Sequence, residues 1–336
     1  MGILFYIVKR LLALVPVIIG VTLLVFIISH AIPGDPARMM AGQKASAQAV
    51  EHIRRSLGLD RPLPVQYVSY LGDLLRGHLG FSIRNQRPVI ADLRDFFPAT
   101  LELTLASMLL CVSVGLVLGI VSAIRRNRLS DHIIRIFSVV GVSTPVFWLG
   151  LMLLVLFYRN LGLLPGSGRI DISLSPPAHV TGLYVINALL EGSWDKLRDV
   201  LAHLILPAFC LSSVYLAVIT RIVRSSMIEV LGQDYVTTAR ANGLSEMRVV
   251  MKHAFKNSLI PTVTITGLSI GELLGGAVLT ETIFAWPGMG KYVVDSIDFL
   301  DFPAIMGFTL LIALVYMLIN LCVDVVYAFL NPQIRY

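Results

Sequence analysis

Two places in this chain combine residue types and spacing that chemistry could use, and each stands out against oily surroundings. The first is a single acid, Glu272, near the centre of an apolar run over residues 259–284. A carboxylate at that depth costs about 3 kcal/mol on insertion scales, so it must face a cavity, a polar neighbour or a cation. Two readings stand: a pathway carboxylate that meets a cationic group such as a substrate amine, or an acid tied by a hydrogen bond to a neighbouring helix. Gly267, Gly271 and Gly275 recur around it at four-residue spacing with Gly276 alongside, so this face touches another helix closely or leaves space.

The second place is the polar stretch over residues 221–261, between two apolar runs. Arg221, Arg224, Arg240, Arg248, Lys252 and Lys256 outnumber Glu229, Asp234 and Glu246, which puts the stretch on the cytoplasmic side. Its grammar is helix, bend, helix. Asp234 can cap a short helix through Tyr235, Thr238, Ala239, Arg240 and Ala241. Gly243 can end it in the left-handed conformation, and Ser245 with Glu246 can restart a second helix toward Lys256. Thr237, Thr238, Ala239, Ala241 and Gly243 are small enough for a knob that enters a groove on a partner protein. A helical connector that merely closes the bundle would read the same way.

The elements that must position these residues are membrane spans. Hydrophobic residues make up 56% of the 336 and charged ones only 14%, with a mean hydropathy of +0.79, which excludes an ordinary soluble domain. Six runs reach the roughly 20 residues needed to cross the hydrocarbon: 11–32, 99–124, 133–158, 201–220, 259–284 and 303–328. Within the third, Pro145 precedes Val146 and Phe147 and should kink the helix, marking a further candidate stretch for the passage. Lys9 and Arg10, then Arg125, Arg126 and Arg128, then the stretch over 221–258 fall on one side, so both termini are expected there, in the cytoplasm. The formal charge of +6 is spread over span ends, not gathered in a stripe, and speaks for a membrane surface and against nucleic acid.

This divides the chain into a first span (1–32), an external segment (33–98) and a five-helix core (99–336) with an external insertion over 159–200. In the external segment Ser46 can cap a helix to Leu57 stopped by Gly58. Val65, Val68, Leu71 and Leu75 form one apolar stripe on a second helix stopped by Gly77. The pair would either cover the outer mouth of the bundle or lie on the bilayer. The insertion opens with the flexible sequence LPGSGR and shows no chemistry of its own. Gly115 and Gly119 form another close-packing pair, and Cys111, Cys210 and Cys322 lie singly in apolar runs, without metal or disulfide spacing.

No catalytic machinery is visible. The nearest approach to a phosphate-binding loop, PGMGKY, has Ala285 in place of its first glycine and Tyr292 in place of its hydroxyl residue, and neither HExxH nor GxSxG occurs. If the chain drives transport, the energy comes from an ion gradient or from another subunit. A self-sufficient secondary transporter with Glu272 as its proton site is the competing class, and a membrane-embedded hydrolase a third.

Over essentially its whole length the sequence resembles the transmembrane permease subunits of peptide-type ATP-binding-cassette importers, the group serving dipeptides, oligopeptides, glutathione and nickel. HAIPGDPAR, LGLDRPLPVQY, GHLGFSIRNQRPV, PATLELT, DYVTTARANGLS, HAFKNSLIPTVT, LTETIFAWPGMG and NPQIRY carry the resemblance. The family's EAAxxxG loop, aligned on Gly243, places Thr237 where the acid stands and matches at Ala239 and Gly243; Lys256 stands where the general motif has a proline. The resemblance implies an all-α polytopic fold of the type I importer permease class, in the bacterial inner membrane. It also implies a second, similar permease, two ATPase subunits that hold ATP and magnesium, and an external solute-binding protein that delivers a peptide, dipeptides foremost. The helix around Tyr235 to Asn242 would then sit in a cleft of one ATPase, and this chain would bind no metal or cofactor and catalyse nothing.

Overall fold

A computed structural model describes residues 3–31, 36–41, 45–56, 58–178 and 180–330. In chain order the helices are α1 (Ile3–Ala31), α2 (Pro36–Ala41), α3 (Ala47–Ser56), α4 (Leu63–Leu75), α5 (Val89–Ile124), α6 (Leu129–Ser143), α7 (Val146–Leu153) and α8 (Tyr184–Glu191). After these come α9 (Trp194–Leu231), α10 (Asp234–Ala241), α11 (Glu246–Arg248), α12 (Lys256–Gly276), α13 (Val278–Ile283), α14 (Met289–Asp298) and α15 (Phe302–Leu330). π-Helical turns at Leu154–Asn160 and Val249–Phe255 extend α7 and join α11 to α12. Ile32 to Asp35 of the HAIPGDP stretch, Leu57 at the expected helix end, and NPQIRY lie outside the described residues.

Among the described residues five helical stretches are long and apolar enough to cross a membrane, and α6 with α7 makes a sixth if the bent pair is counted as one span. That pair corrects one expectation. The third span does not kink at Pro145; it breaks, turning by 103°. The residue before a proline is pushed out of the helical region, and Thr144 accordingly adopts φ −82°, ψ 122°, while Pro145 has no N–H to continue the ladder. A second difference is length. With 38 residues α9 is about 57 Å long, well beyond a hydrocarbon core of about 30 Å. Arg221 and Arg224 are therefore still on α9, which runs on through Pro207 as one helix, and the polar stretch begins as its end.

One compact unit takes in residues 1–97 and 288–317. Its core is Val89, Leu93, Met289, Tyr292 and Ala304. Ser46 accepts a hydrogen bond from the Ala49 amide at 3.2 Å, as expected of a helix start, and Gly58 and Gly77 take φ +66° and +78°, the left-handed conformation expected beyond each helix end. The face α4 turns toward α1 is not the aliphatic stripe, however. Tyr67 and Tyr70 pack on Phe26, with the Tyr67 and Thr22 hydroxyls 3.0 Å apart, while Val68 and Leu75 are 68% and 90% exposed.

The other unit comprises residues 98–287 and 318–336 and is organised on α9, against which α6, α7, α8 and α12 pack. The glycines admit the close approaches. A Cβ on Gly119 would lie 2.6 Å from the Val223 side chain, and one on Gly267 would lie 2.0 Å from the Val323 side chain, so at these glycines valines of α9 and α15 pack directly on the backbones of α5 and α12. The insertion over 159–200 is anchored from within. Arg169 is buried, paired with Glu102, bonded at 3.1 Å to the Gly182 carbonyl, and stacked 3.6 Å from the Tyr184 ring centroid. Its LPGSGR lead carries that anchor, which its composition conceals.

Candidate functional site

The exposed helix at the end of α9 is built by short-range rules. After Leu231 the chain turns through Gly232 and Gln233, and α10 runs from Asp234 to Ala241. Asp234 is the first helical residue and does not cap: Gln233 holds the cap position in extended conformation, with no side-chain bond to the helix. Ser245 likewise precedes α11 without a side-chain bond. Asp234 still places a negative charge at the positive end of the helix dipole. At the other end Gly243 has φ +76°, with the Gly243 amide on the Arg240 carbonyl at 2.9 Å and the Leu244 amide on the Ala239 carbonyl at 3.4 Å. This is the paired C-terminal bonding that a glycine in the left-handed region closes.

The helix has an inner and an outer face. Val236 and Ala239, three residues apart, are buried with Val249 and backed by Val230, Leu231 and Leu244. Ala239, 6% exposed, faces its own support and lets α10 lie close on it. Asp234, Tyr235, Thr237, Thr238, Arg240, Ala241 and Gly243 are exposed, and a Cβ on Gly243 would meet nothing within 4 Å. Two further bonds hold the knob to α11 and α12. Arg240 grips Glu246 with two nitrogens at 2.7 and 3.1 Å, a bond that raises the Arg240 pKa, and Asn257 donates to the Tyr235 hydroxyl at 2.8 Å. The Val236/Ala239 spacing is visible as a helical period; the Arg240–Glu246 and Tyr235–Asn257 pairs cross a bend and leave no local signal.

Glu272 and Gly275 lie exposed on α12, one turn apart, and Gly271 is buried beside them. The Tyr215 hydroxyl of α9 donates to Glu272 Oε2 at 3.3 Å. Pro145 and Phe147 are exposed at the break between α6 and α7, a different element from the one that carries Glu272. A second acid gives no signal in the sequence. Asp131, fully buried in the first turn of α6, accepts from Ser122 at 2.5 Å, from the Asn127 amide at 2.9 Å, and from Arg224 at 2.8 and 2.9 Å. Among the described residues no cluster of His, Cys, Asp and Glu could hold a metal ion.

Residues 115–336 match the family described as binding-protein-dependent transport system inner membrane component, and residues 3–104 match its N-terminal companion family. The chain belongs to this family. As an inner membrane component with several spanning helices, it is a multi-pass protein of the bacterial inner membrane. This permease is 54% identical over 326 residues to the probable D,D-dipeptide transport system permease protein DdpB of Escherichia coli K12, covering 97% of this chain and 96% of that one. It is 44% identical to the dipeptide transport system permease protein DppB of Alkalihalophilus pseudofirmus, covering 98% and 99%. It is 42% identical to the glutathione transport system permease protein GsiC of Salmonella choleraesuis, with the same coverage. Among solved structures it shares the fold of a chain of the inward-facing MetNI methionine ABC transporter, with TM-score 0.50 at 16% identity, over 69% of this chain and 93% of that one.

Proposed function

We propose that this permease is the membrane half of an ATP-driven importer that moves small peptides, dipeptides foremost, from an external solute-binding protein to the cytoplasm. The observation that carries the coupling part is α10: a small, exposed, rigidly stapled helix on the end of a rod that begins inside the membrane. Asp234, Tyr235, Thr238, Arg240, Ala241 and Gly243 offer its outer face to an ATPase subunit, and Ala239 sets its height from beneath. The chain itself binds no cofactor and catalyses no reaction. ATP and magnesium act on two partner ATPases, and a second, similar permease completes the passage.

Closure of the ATPases moves α10, and α9 transmits the movement because a continuous helix resists bending while its packed neighbours have discrete arrangements. Glu272, with Gly271 and Gly275 beside it and Pro145 and Phe147 at the helix break, lines the passage and meets the peptide ammonium. The dipeptide assignment leans on the relatives of known cargo. Both termini and α10 lie on the cytoplasmic side, as the basic short loops require.

The test is uptake of labelled dipeptide by the whole complex in proteoliposomes with the binding protein outside. Uptake should require ATP on the α10 side, and Gly243→Trp should abolish it while the protein stays in the membrane. Uptake driven by a proton gradient without ATP, or unchanged ATPase association and transport in Gly243→Trp, would refute the reading.

A further inference from the structure

Between α6 and α9, near the end of α9 that carries α10, lies a cavity of about 380 Å³. Arg135, Arg221 and Arg224 line it together with Val139, Val142 and Ala217. The helix registers order these groups. On α6, Val139 and Val142 come four and seven residues after Arg135, about 6 and 10 Å deeper into the membrane. On α9, Ala217 precedes Arg221 by one turn at the same deeper level.

The charges are not balanced within the protein. Arg224 is spent on Asp131, and Arg135 lies 3.7 Å from the same carboxylate, with its Nη2 2.6 Å from His132 Nδ1. Arg221 is exposed and makes no ion pair or side-chain hydrogen bond among the described residues. Two guanidinium groups thus share one acid, and a third, Arg221, lines the same cavity without an acid of its own. The wall beside them is apolar and open, with Val139 and Val142 65% and 46% exposed. A small aqueous anion would satisfy the arginines and leave the valines bare. An amphipathic anion fits both parts.

We propose that this cavity binds an anionic phospholipid from the leaflet on the α10 side, its phosphate on Arg221 and Arg135 and an acyl chain along Val139 and Val142. That this leaflet is the cytoplasmic one rests on the importer reading. The lipid would pin α6 to α9 just before α10, so membrane composition would set how firmly the lever is held.

The assembled complex, reconstituted in nanodiscs of phosphatidylcholine with or without phosphatidylglycerol, is released into a native mass spectrometer and the retained phosphatidylglycerol counted. Arg221→Gln should weaken retention about fivefold, the worth of one arginine near an anionic surface, and Val142→Trp should weaken it by filling the acyl part without touching a charge. Equal retention by wild type and both variants would overturn the proposal. So would displacement of the lipid by inorganic phosphate alone, which marks a free-anion site, or by dipeptide, which marks a peptide exit. Loss of the second permease from Arg221→Gln, with no lipid retained by wild type, would overturn it by marking the surface as a subunit contact. Lipid retention is read without transport, so failure of the importer reading would leave this result standing.

Discussion

Asp131 and Glu272 are both acids on helices of the same membrane unit, and the protein treats them in opposite ways. Asp131 is fully buried and takes hydrogen bonds from Ser122, Asn127 and both arms of Arg224, tying the turn after α5, the start of α6 and the end of α9 to one carboxylate. Glu272 is exposed on its helix and receives one bond, from the Tyr215 hydroxyl at 3.3 Å. An acid whose lone pairs are all engaged by its own chain has nothing left for cargo. An acid left open in an apolar span keeps its attraction for something the chain does not contain. The same contrast divides α10, whose Val236 and Ala239 are committed to their own support while Thr238, Ala241 and Gly243 face outward.

The largest effect expected from this contrast is on stability. Asp131→Ala leaves Arg224 facing a buried space without its partner, which costs about 3 kcal/mol when a buried pair is broken from one side. The complex should lose most of its folded yield and melt earlier in size-exclusion profiles after heating. Asp131→Ala combined with Arg224→Met should recover much of the loss, since replacing both partners by apolar groups is often nearly neutral. Full stability of the single variant would mean that Asp131 is not the satisfied member of the comparison.

Glu272→Gln should leave folding untouched and lower uptake about tenfold for dipeptides with a free amine, the equivalent of roughly 1.4 kcal/mol of lost attraction. N-acetylated analogues should show little change. Equal loss for both kinds of peptide would show that the charge is not read by the amine, and unchanged uptake would leave Glu272 as an interhelical acid.

How much of this arrangement shows in the sequence depends on the range of the forces involved. Spans are legible because the hydrocarbon demands an apolar length, and α10 is legible because Gly243 and the Val236/Ala239 spacing act within one or two turns. Pro145 announces a disruption, yet whether a proline kinks or breaks a helix depends on the room around Thr144, which no local pattern records. Arg169 reaches Glu102 across 67 positions and Arg224 reaches Asp131 across 93, so each looks like an ordinary loop or span-end charge. The acid that escapes notice is the satisfied one, which sits one turn from a cluster of arginines where an aspartate excites no attention. The acid that shows is the open one, because its whole neighbourhood in sequence is apolar.

The smallest expected effect is the most discriminating. Tyr215→Phe removes the hydroxyl and nothing else, and a 3.3 Å bond to an exposed carboxylate is worth about 0.5–1 kcal/mol, a two- to fivefold change in uptake. If Tyr215 serves by aiming Glu272 at the cargo, the loss should fall on free-amine peptides alone and should vanish when Glu272 is already Gln. If instead Glu272 serves by holding Tyr215 on α9 against α12, the tyrosine variant should cost at least as much as the acid variant, with equal loss for acetylated peptides. A double-mutant cycle over the two positions, read with both kinds of peptide, separates an acid kept open for cargo from one kept for its neighbour.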